Sequence, residues 1–364
     1  MIVLFPILLV LLVTTIIVIF NFFTAPVLKV KYKKKGGQDL VSVLIPARNE
    51  SNNIENCLNK IINQRYNNLE IIVLDDESQD NTFSMVSEYT GKDKRIRIIR
   101  GKVLPWNYTG KNWACHQLSL EASGKYLVFI DADVFLEEYS LVSAISEMNK
   151  YRLDLLSVFP SQKMNSLGEW LLVPLMNWLL LTFLPIKLVY SAKSNSFAAA
   201  NGQFMLFKRD TYENIGGHKS VSDKVTEDIE FARLLKKHRY RVKTFLGGEL
   251  IYCRMYNGFR AAFSGFSKNF YAGTKLESIF FITLITFLFM CFTLPLIPVF
   301  SKPVFILSVI TISLQRILIS LLSRQHPIIN LLLHPFQIVM FFVAGINSLI
   351  VSKHKRRIWK GRTF

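Results

Sequence analysis

No two of the four cysteines stand near each other: Cys57, Cys115, Cys253 and Cys291 form no CxxC pair. That spacing argues against a thiolate metal site and a disulfide framework, and it fits a reducing compartment. Histidine is scarce as well, six in 364 residues with no HExxH spacing. A metal here therefore has to be held by carboxylates, which favours Mg2+ or Mn2+. Acidic residues are outnumbered, 26 against 44 Lys and Arg, for a net charge of +18. An excess of that size calls for an anionic partner. Nucleic acid is the poorer choice, because long apolar segments already commit the chain to a bilayer, where anionic headgroups are the simpler partner. Internal repeats and low-complexity linkers are also lacking.

A composition of 51% hydrophobic and 19% charged residues fits neither a pure membrane bundle nor an ordinary soluble enzyme. Residues 2–23 carry no charge and have the length of a membrane span. A signal peptide would need a basic start and a small-residue cleavage site, and neither is present. Five lysines follow within Lys29–Lys35, which marks the cytoplasmic side. Residues 278–300 and 329–351 read as further spans, whereas Gln315 and Arg316 make 303–323 costly in hydrocarbon. That stretch is expected to be re-entrant or horizontal, because a cytoplasmic domain and a cytoplasmic basic tail require an even number of crossings between them. The apolar stretch 167–190, with Trp170 and Trp178, is expected to lie along the interface. The expected division is an anchor over 1–24, a cytosolic α/β domain over 38–275, a membrane region over 276–352 and a basic cytosolic tail over 353–364. A multi-pass protein of the cell membrane follows.

Between about 40 and 250 short apolar runs alternate with amphipathic stretches. Strands are predicted at 41–45, 70–74, 96–99, 126–131, 153–159 and 203–207. Helices are predicted over 50–64, 80–90, 111–123 and 139–150, the first from Ile54, Leu58, Ile61 and Ile62 on one face. Such alternation predicts an α/β fold, a mostly parallel sheet with helices on both faces. Ligands of such sheets sit at the carboxyl ends of the strands.

Five polar constellations fall at those ends. Pro46, Ala47, Arg48, Asn49 and Glu50 close the first strand in a turn able to line a nucleotide, or merely to cap a helix through Asn49. Asp75 and Asp76 close the second strand. Asp76 there is suited to accept from a base N–H, and Asp80 to cap the following helix. Lys111, in the first turn of a helix, suits a diphosphate; a solvated helix start is an equal reading. Asp131 and Asp133 follow a buried strand, and at i and i+2 an extended chain turns both the same way. A divalent cation bridging them to a diphosphate relieves their repulsion. Finally Glu227 and Asp228 open a helix, whose dipole favours acids in any case; the chemical reading makes Asp228 a general base.

Taken in order, IPARNE, DDESQDNT, DAD and TED resemble the family-2 glycosyltransferases, whose fold is the Rossmann-like GT-A fold. The resemblance covers about residues 40–260. It implies that Asp75 and Asp76 hold the nucleobase, Asp131 the ribose, Asp133 the metal and Asp228 the reacting proton, in a single displacement with inversion. It also implies a nucleotide-sugar donor. The QxxRW of the processive members is absent: the corresponding region reads Arg254-Met-Tyr256. Single transfer to a lipid acceptor is therefore expected rather than polymerisation. Asn201, Gly202, Gln203 and His218 fall where this family closes its site, and Arg254 and Tyr256 are further candidates there. The layout, including the closing Trp359-Lys-Gly-Arg362, resembles members that glycosylate carotenoids, which implies UDP-glucose and a carotenoid carboxylate. Another lipid, such as a polyprenyl phosphate, a hopanoid or a ceramide-like molecule, stays open as acceptor. So does a non-enzymatic scaffold, although idle carboxylates crowded at one cleft would only cost stability.

Overall fold

The structure, a computed structural model, describes residues 4–32, 39–297 and 302–353, and the backbone of 358–359 and 362–363. Lys33 to Lys35 and the side chains of the tail beyond Lys353 lie outside the described residues. The chain divides into an α/β unit (26–161, 188–253 and 358–364) and a helical unit (1–25, 162–187 and 254–357).

The α/β unit contains β1 (Val41–Ala47), β2 (Leu69–Asp75), β3 (Ile96–Arg100), β4 (Tyr126–Ile130), β5 (Val134–Leu136), β6 (Leu155–Phe159), β7 (Ser161–Gln162), β8 (Phe204–Lys208), β9 (Val242–Leu246) and β10 (Ile251–Cys253). Seven of them form one sheet in the order β3-β2-β1-β4-β8-β6-β9, and β5, β10 and β7 form a second. The large sheet is parallel except for β8, which runs against both β4 and β6. Every residue of β1 and β4 is buried, as expected of strands covered on both faces. Register fixes where the chemistry falls. Ala47 pairs with Asp75, and Ile130 pairs with Phe204. The ends of β2, β1 and β4 and the start of β8 therefore share one edge.

The helices follow the expected pattern: Ile54–Ile62, Thr82–Lys92, Gly110–Glu121 and Ser140–Tyr151. The first is shorter than 50–64 because the backbone of Glu50 and Ser51 is tied instead to the Thr82 hydroxyl and Asp80. Strand β9 escaped the sequence reading. Lys243 interrupts its apolar run, yet that residue is buried with its ammonium 3.1 Å from the centre of the Tyr151 ring, a cation–π contact that replaces water.

In the helical unit, Phe5–Thr24, Ser278–Leu296, Lys302–Leu322 and His334–Lys353 are each long and apolar enough to cross a membrane. The stretch 303–323, expected to be re-entrant or horizontal, forms one continuous helix of 21 residues. Its polar residues face inward: Gln315 and Arg316 are buried, and the Gln315 amide donates to the Leu11 carbonyl and to the hydroxyls of Thr14 and Thr15. For Gln315 those bonds replace water, so its cost in hydrocarbon is met inside the bundle. The stretch 167–190 forms the helices Leu167–Leu172, Pro174–Phe183 and Lys187–Ser191. Trp178 in it is buried among Phe183, Phe292 and Phe341, which corrects its use as an interface marker.

Asn21 ties two segments of this unit together. Its amide donates to the carbonyls of Leu181 and Leu184, both at 2.8 Å, and its oxygen accepts from the Ile186 N–H at 2.9 Å. Replacing Asn21 by Leu strands three backbone groups, at about 1–3 kcal/mol for each group left buried. The thermal midpoint of the purified protein should fall by several degrees in Asn21→Leu. An unchanged midpoint would show that the three bonds carry no net stability.

Candidate active site

Two loops at the shared sheet edge are stitched together. The Arg48 guanidinium donates to the Asp76 carbonyl through Nη1 and lies 3.9 Å from the Asp76 carboxylate. Asn49 and Glu77 both adopt positive φ, 53° and 54°. Asn49 accepts from the Gln79 N–H and donates its own N–H to Ser78. It therefore bridges loops and does not cap the following helix. Asp80 does cap: its carboxylate accepts from the N–H of Thr82 and that of Ser51. Burial raises its pKa, but the bonds from Thr82 and Ser51 outweigh that and bring it to about 2. Glu50 is buried and accepts from Asn53. Asp76 is 1% exposed, while Asp75 has one oxygen buried without a partner and the other 3.3 Å from the Ser78 N–H. An orphaned acceptor at a strand end is what a base N–H would satisfy.

Two strands along the same edge, roughly 10 Å away at the usual interstrand spacing, stand Asp131 and Asp133. The strand stops at Ile130, and the two aspartates sit in a turn closed by the Val134 N–H on the Asp131 carbonyl at 3.1 Å. They face one site through that turn rather than through strand alternation. Asp133 is half-buried, and its buried Oδ1 has no partner among the described residues. Burial, reinforced by the charge of Asp131, raises its pKa to about 7. Lys111, in the first turn of the Gly110–Glu121 helix, places its ammonium 2.8 Å from Asp131 and 3.4 Å from Glu227. Burial would lower the pKa of Lys111, yet Asp131 and Glu227 hold it well above its ordinary value. Its charge is engaged by the chain's own acids.

Glu227 and Asp228 open the Glu227–Lys237 helix. Asp228 accepts from the Gly202 N–H at 2.9 Å and from the Ile229 N–H at 2.8 Å. Burial raises both pKa values, that of Glu227 to about 7. Gly202 lies in the centre of this arrangement. A Cβ there would come within 2.9 Å of Glu227 and 3.1 Å of Lys111. A side chain at 202 would displace the ends of the Glu227 and Lys111 side chains.

Other candidates support this floor or lie elsewhere. Pro46 and Ala47 belong to β1, and Ala47 accepts from the Asp76 N–H. Asn201 is held by Ser157 and accepts from the Gln203 N–H. The Gln203 carbonyl accepts from the Asp131 N–H, and its amide donates to Cys253 at 2.8 Å. Cys253, read in the sequence only as an isolated cysteine, lies beside the Asp133 carboxylate. No local pattern signals it, because the contact joins β10 to the turn after β4. His218 is fully buried, packed on Phe129, Tyr212 and Phe231, with Nδ1 2.7 Å from the Tyr212 hydroxyl. Arg254 and Tyr256 belong to the helical unit, where Arg254 lies 3.6 Å from Glu169 and Tyr256 packs on Phe266.

No group of three or more metal-ligating side chains occurs among the described residues. The donor set still fits a hard divalent cation of the kind that takes one or two carboxylates and completes its shell with water and substrate phosphates. The orphaned Asp133 oxygen beside Asp131 is the observation that supports the fit.

Residues 42–216 match the model of glycosyl transferase family 2. Asp75, Asp76, Asp131, Asp133 and Gly202 lie inside the match; Glu227 and Asp228 lie beyond it. Among curated relatives, the 4,4'-diaponeurosporenoate glycosyltransferase of Staphylococcus haemolyticus is 27% identical over 250 residues, 67% of this chain and 64% of that protein. Its Staphylococcus aureus counterpart is 26% identical over 238 residues, 64% of this chain and 61% of that protein. The chain thus matches somewhat less than two thirds of either relative's length. Among solved structures, a mannosyltransferase from Pyrobaculum calidifontis in complex with GDP-Man and Mn2+ superposes with a TM-score of 0.57 at 16% identity, covering 96% of both chains. The α/β unit is therefore a GT-A-like fold.

The raised pKa of Asp133 has a measurable sign. A carboxyl whose folded pKa exceeds its unfolded value contributes stability in full below the unfolded value, here the ordinary 3.8, and loses it as pH climbs through about 7. Asp133→Asn removes that loss. The metal-free variant should melt a few degrees above the native protein at about pH 8, and the gap should narrow towards about pH 4. A variant that melts lower at both ends would contradict burial of the charge.

Proposed function

We propose that the protein is a membrane-associated inverting glycosyltransferase that moves a hexose from a nucleotide donor, UDP-glucose, to a lipid acceptor, and that the acceptor is a carotenoid carboxylate. The observation that carries the reading is the meeting of Lys111, Glu227 and Asp228 around Gly202, with Asp131 on Lys111 and Asp133 beside Asp131. The names of the staphylococcal relatives favour the acceptor. The matched domain favours the reaction, and the resemblance of the sequence layout favours the donor.

In this reading Asp75 and Asp76 take the base, with Arg48 holding the loop that carries them. Asp133, with Asp131 beside it, would hold Mg2+ or Mn2+, which when bound supplies positive charge to the departing diphosphate. The archaeal neighbour solved with Mn2+ supports that choice. Lys111 fixes the Asp131 carboxylate and balances its charge and that of Glu227. Attack by an acceptor oxygen on the anomeric carbon forms one C–O bond and breaks the bond to the diphosphate, which leaves with the electron pair. When the acceptor is a hydroxyl, Asp228 takes its proton, and burial has made it a stronger base than an exposed aspartate. When the acceptor is already a carboxylate, no proton has to leave, and Asp228 orients it instead. The clustered lysines on the sequence flanks favour a catalytic unit on the cytoplasmic side of a multi-pass protein.

Transfer of labelled glucose from UDP-glucose to membrane lipid should cease with EDTA and return with Mn2+; chelator-resistant turnover would remove the metal from the account. Asp228→Asn should slow the chemical step by about 10²–10⁴-fold for a hydroxyl acceptor, with donor affinity little changed. A much smaller loss is the outcome for a carboxylate acceptor, and an unchanged rate with either acceptor would take Asp228 out of the reaction.

A further inference from the structure

The helical unit holds a buried cation for which the described residues supply no counter-charge. Arg316 lies in the Lys302–Leu322 helix and is 2% exposed. Its Nε and Nη2 have no hydrogen-bond partner among the described residues. The segments that make up this unit contain two acidic residues, Glu169 and Glu277. Glu169 is already engaged by the N–H groups of Asn165 and Gly258, by the Ser166 hydroxyl and by Arg254. Glu277 is exposed at the start of the Ser278–Thr293 helix. Neither pairs with Arg316.

Other donors are left without partners on the helices around it. The Pro174–Phe183 helix packs against the helix that carries Arg316. On it the Trp178 indole N–H and the Thr182 hydroxyl are buried and unpaired. Trp178 packs on Phe292, whose carbonyl accepts from His334 Nε2 at 3.2 Å and whose ring lies 6.4 Å from that histidine's. A guanidinium left unpaired inside a bundle of membrane-length helices is costly, and each further unsatisfied donor adds to the cost. Arginine presents two parallel N–H groups matched to a carboxylate or a phosphate. Indole and hydroxyl donors suit the same anion.

We propose that Arg316 anchors the headgroup of an acidic amphiphile, one carboxylate or phosphate on an apolar chain, bound within the helical unit. The amphiphile supplies the charge the described residues lack, and the apolar helices receive its chain. The inference stands on the helical unit alone and does not depend on the reaction proposed above.

The test uses the purified, delipidated full-length protein in a neutral detergent, read by thermal shift and by native mass spectrometry, with no activity readout. Oleate and phosphatidylglycerol are the acidic probes; oleyl alcohol and phosphatidylcholine are their neutral counterparts. The acidic probes should raise the melting temperature and remain bound, and the neutral ones should not. Oleate alone acting identifies a free lipid acid, phosphatidylglycerol alone identifies membrane phospholipid, and both acting shows that the charge itself is read. Arg316→Met should weaken acidic-probe binding by roughly tenfold or more, and without any probe it should melt at or above the native protein, because an unpaired buried charge has gone. Trp178→Phe, which keeps the ring and removes the N–H, should weaken binding by a few-fold and serves if the first variant fails to fold. Equal binding of acidic and neutral probes, or native-like acidic-probe binding in whichever of the two variants folds, overturns the proposal.

Discussion

Carboxylates cannot be gathered in a buried pocket without an opposing charge, and that constraint organises the α/β unit. Asp131, Asp133, Glu227 and Asp228 arrive from two distant stretches of chain. One ammonium, that of Lys111, reaches Asp131 and Glu227 directly. The backbone N–H groups of Gly202 and Ile229 hold Asp228. Asp133 has a thiol beside it and little else, and its pKa moves accordingly. In the proposed reading a cation supplies the charge missing there. The sheet supplies the means, since register brings the ends of β2, β1 and β4 and the start of β8 to one edge.

The helical unit presents the same problem with the sign reversed. Arg316 is buried where the described residues have no acid to spare, and Gln315 beside it is satisfied by the first helix. Two neighbouring residues on one helix thus meet opposite fates, because adjacent positions point about 100° apart. The basic excess read from composition is felt inside this unit as well as at its surface.

Legibility in the sequence followed burial and locality. Strands β1, β2 and β4 were plain because both faces are covered and their runs are continuously apolar. Asp131 and Asp133 were plain because such a run ends in them. β9 was not, since Lys243 is buried on the face of a tyrosine ring and hydropathy cannot register a cation–π contact. That Gln315 and Arg316 in the 302–322 helix are buried was not legible, because hydropathy does not tell which way a residue points. The places of Cys253 and Gly202 beside the acids were invisible, because each exists only once β10, the loop before β8 and the Glu227–Lys237 helix fold. Asn21 read as one polar residue in an apolar run, and its three backbone partners lie some 160 residues away.

The central claim is that a cation completes the cluster at Asp133. Anomalous diffraction at the manganese edge from crystals grown with Mn2+ and a nucleoside diphosphate tests it most directly. The account expects one strong peak within coordination distance of the Asp133 carboxylate, with the diphosphate on its far side. A nucleotide bound at this edge with no peak beside Asp133, or with the metal held by other residues, would contradict it.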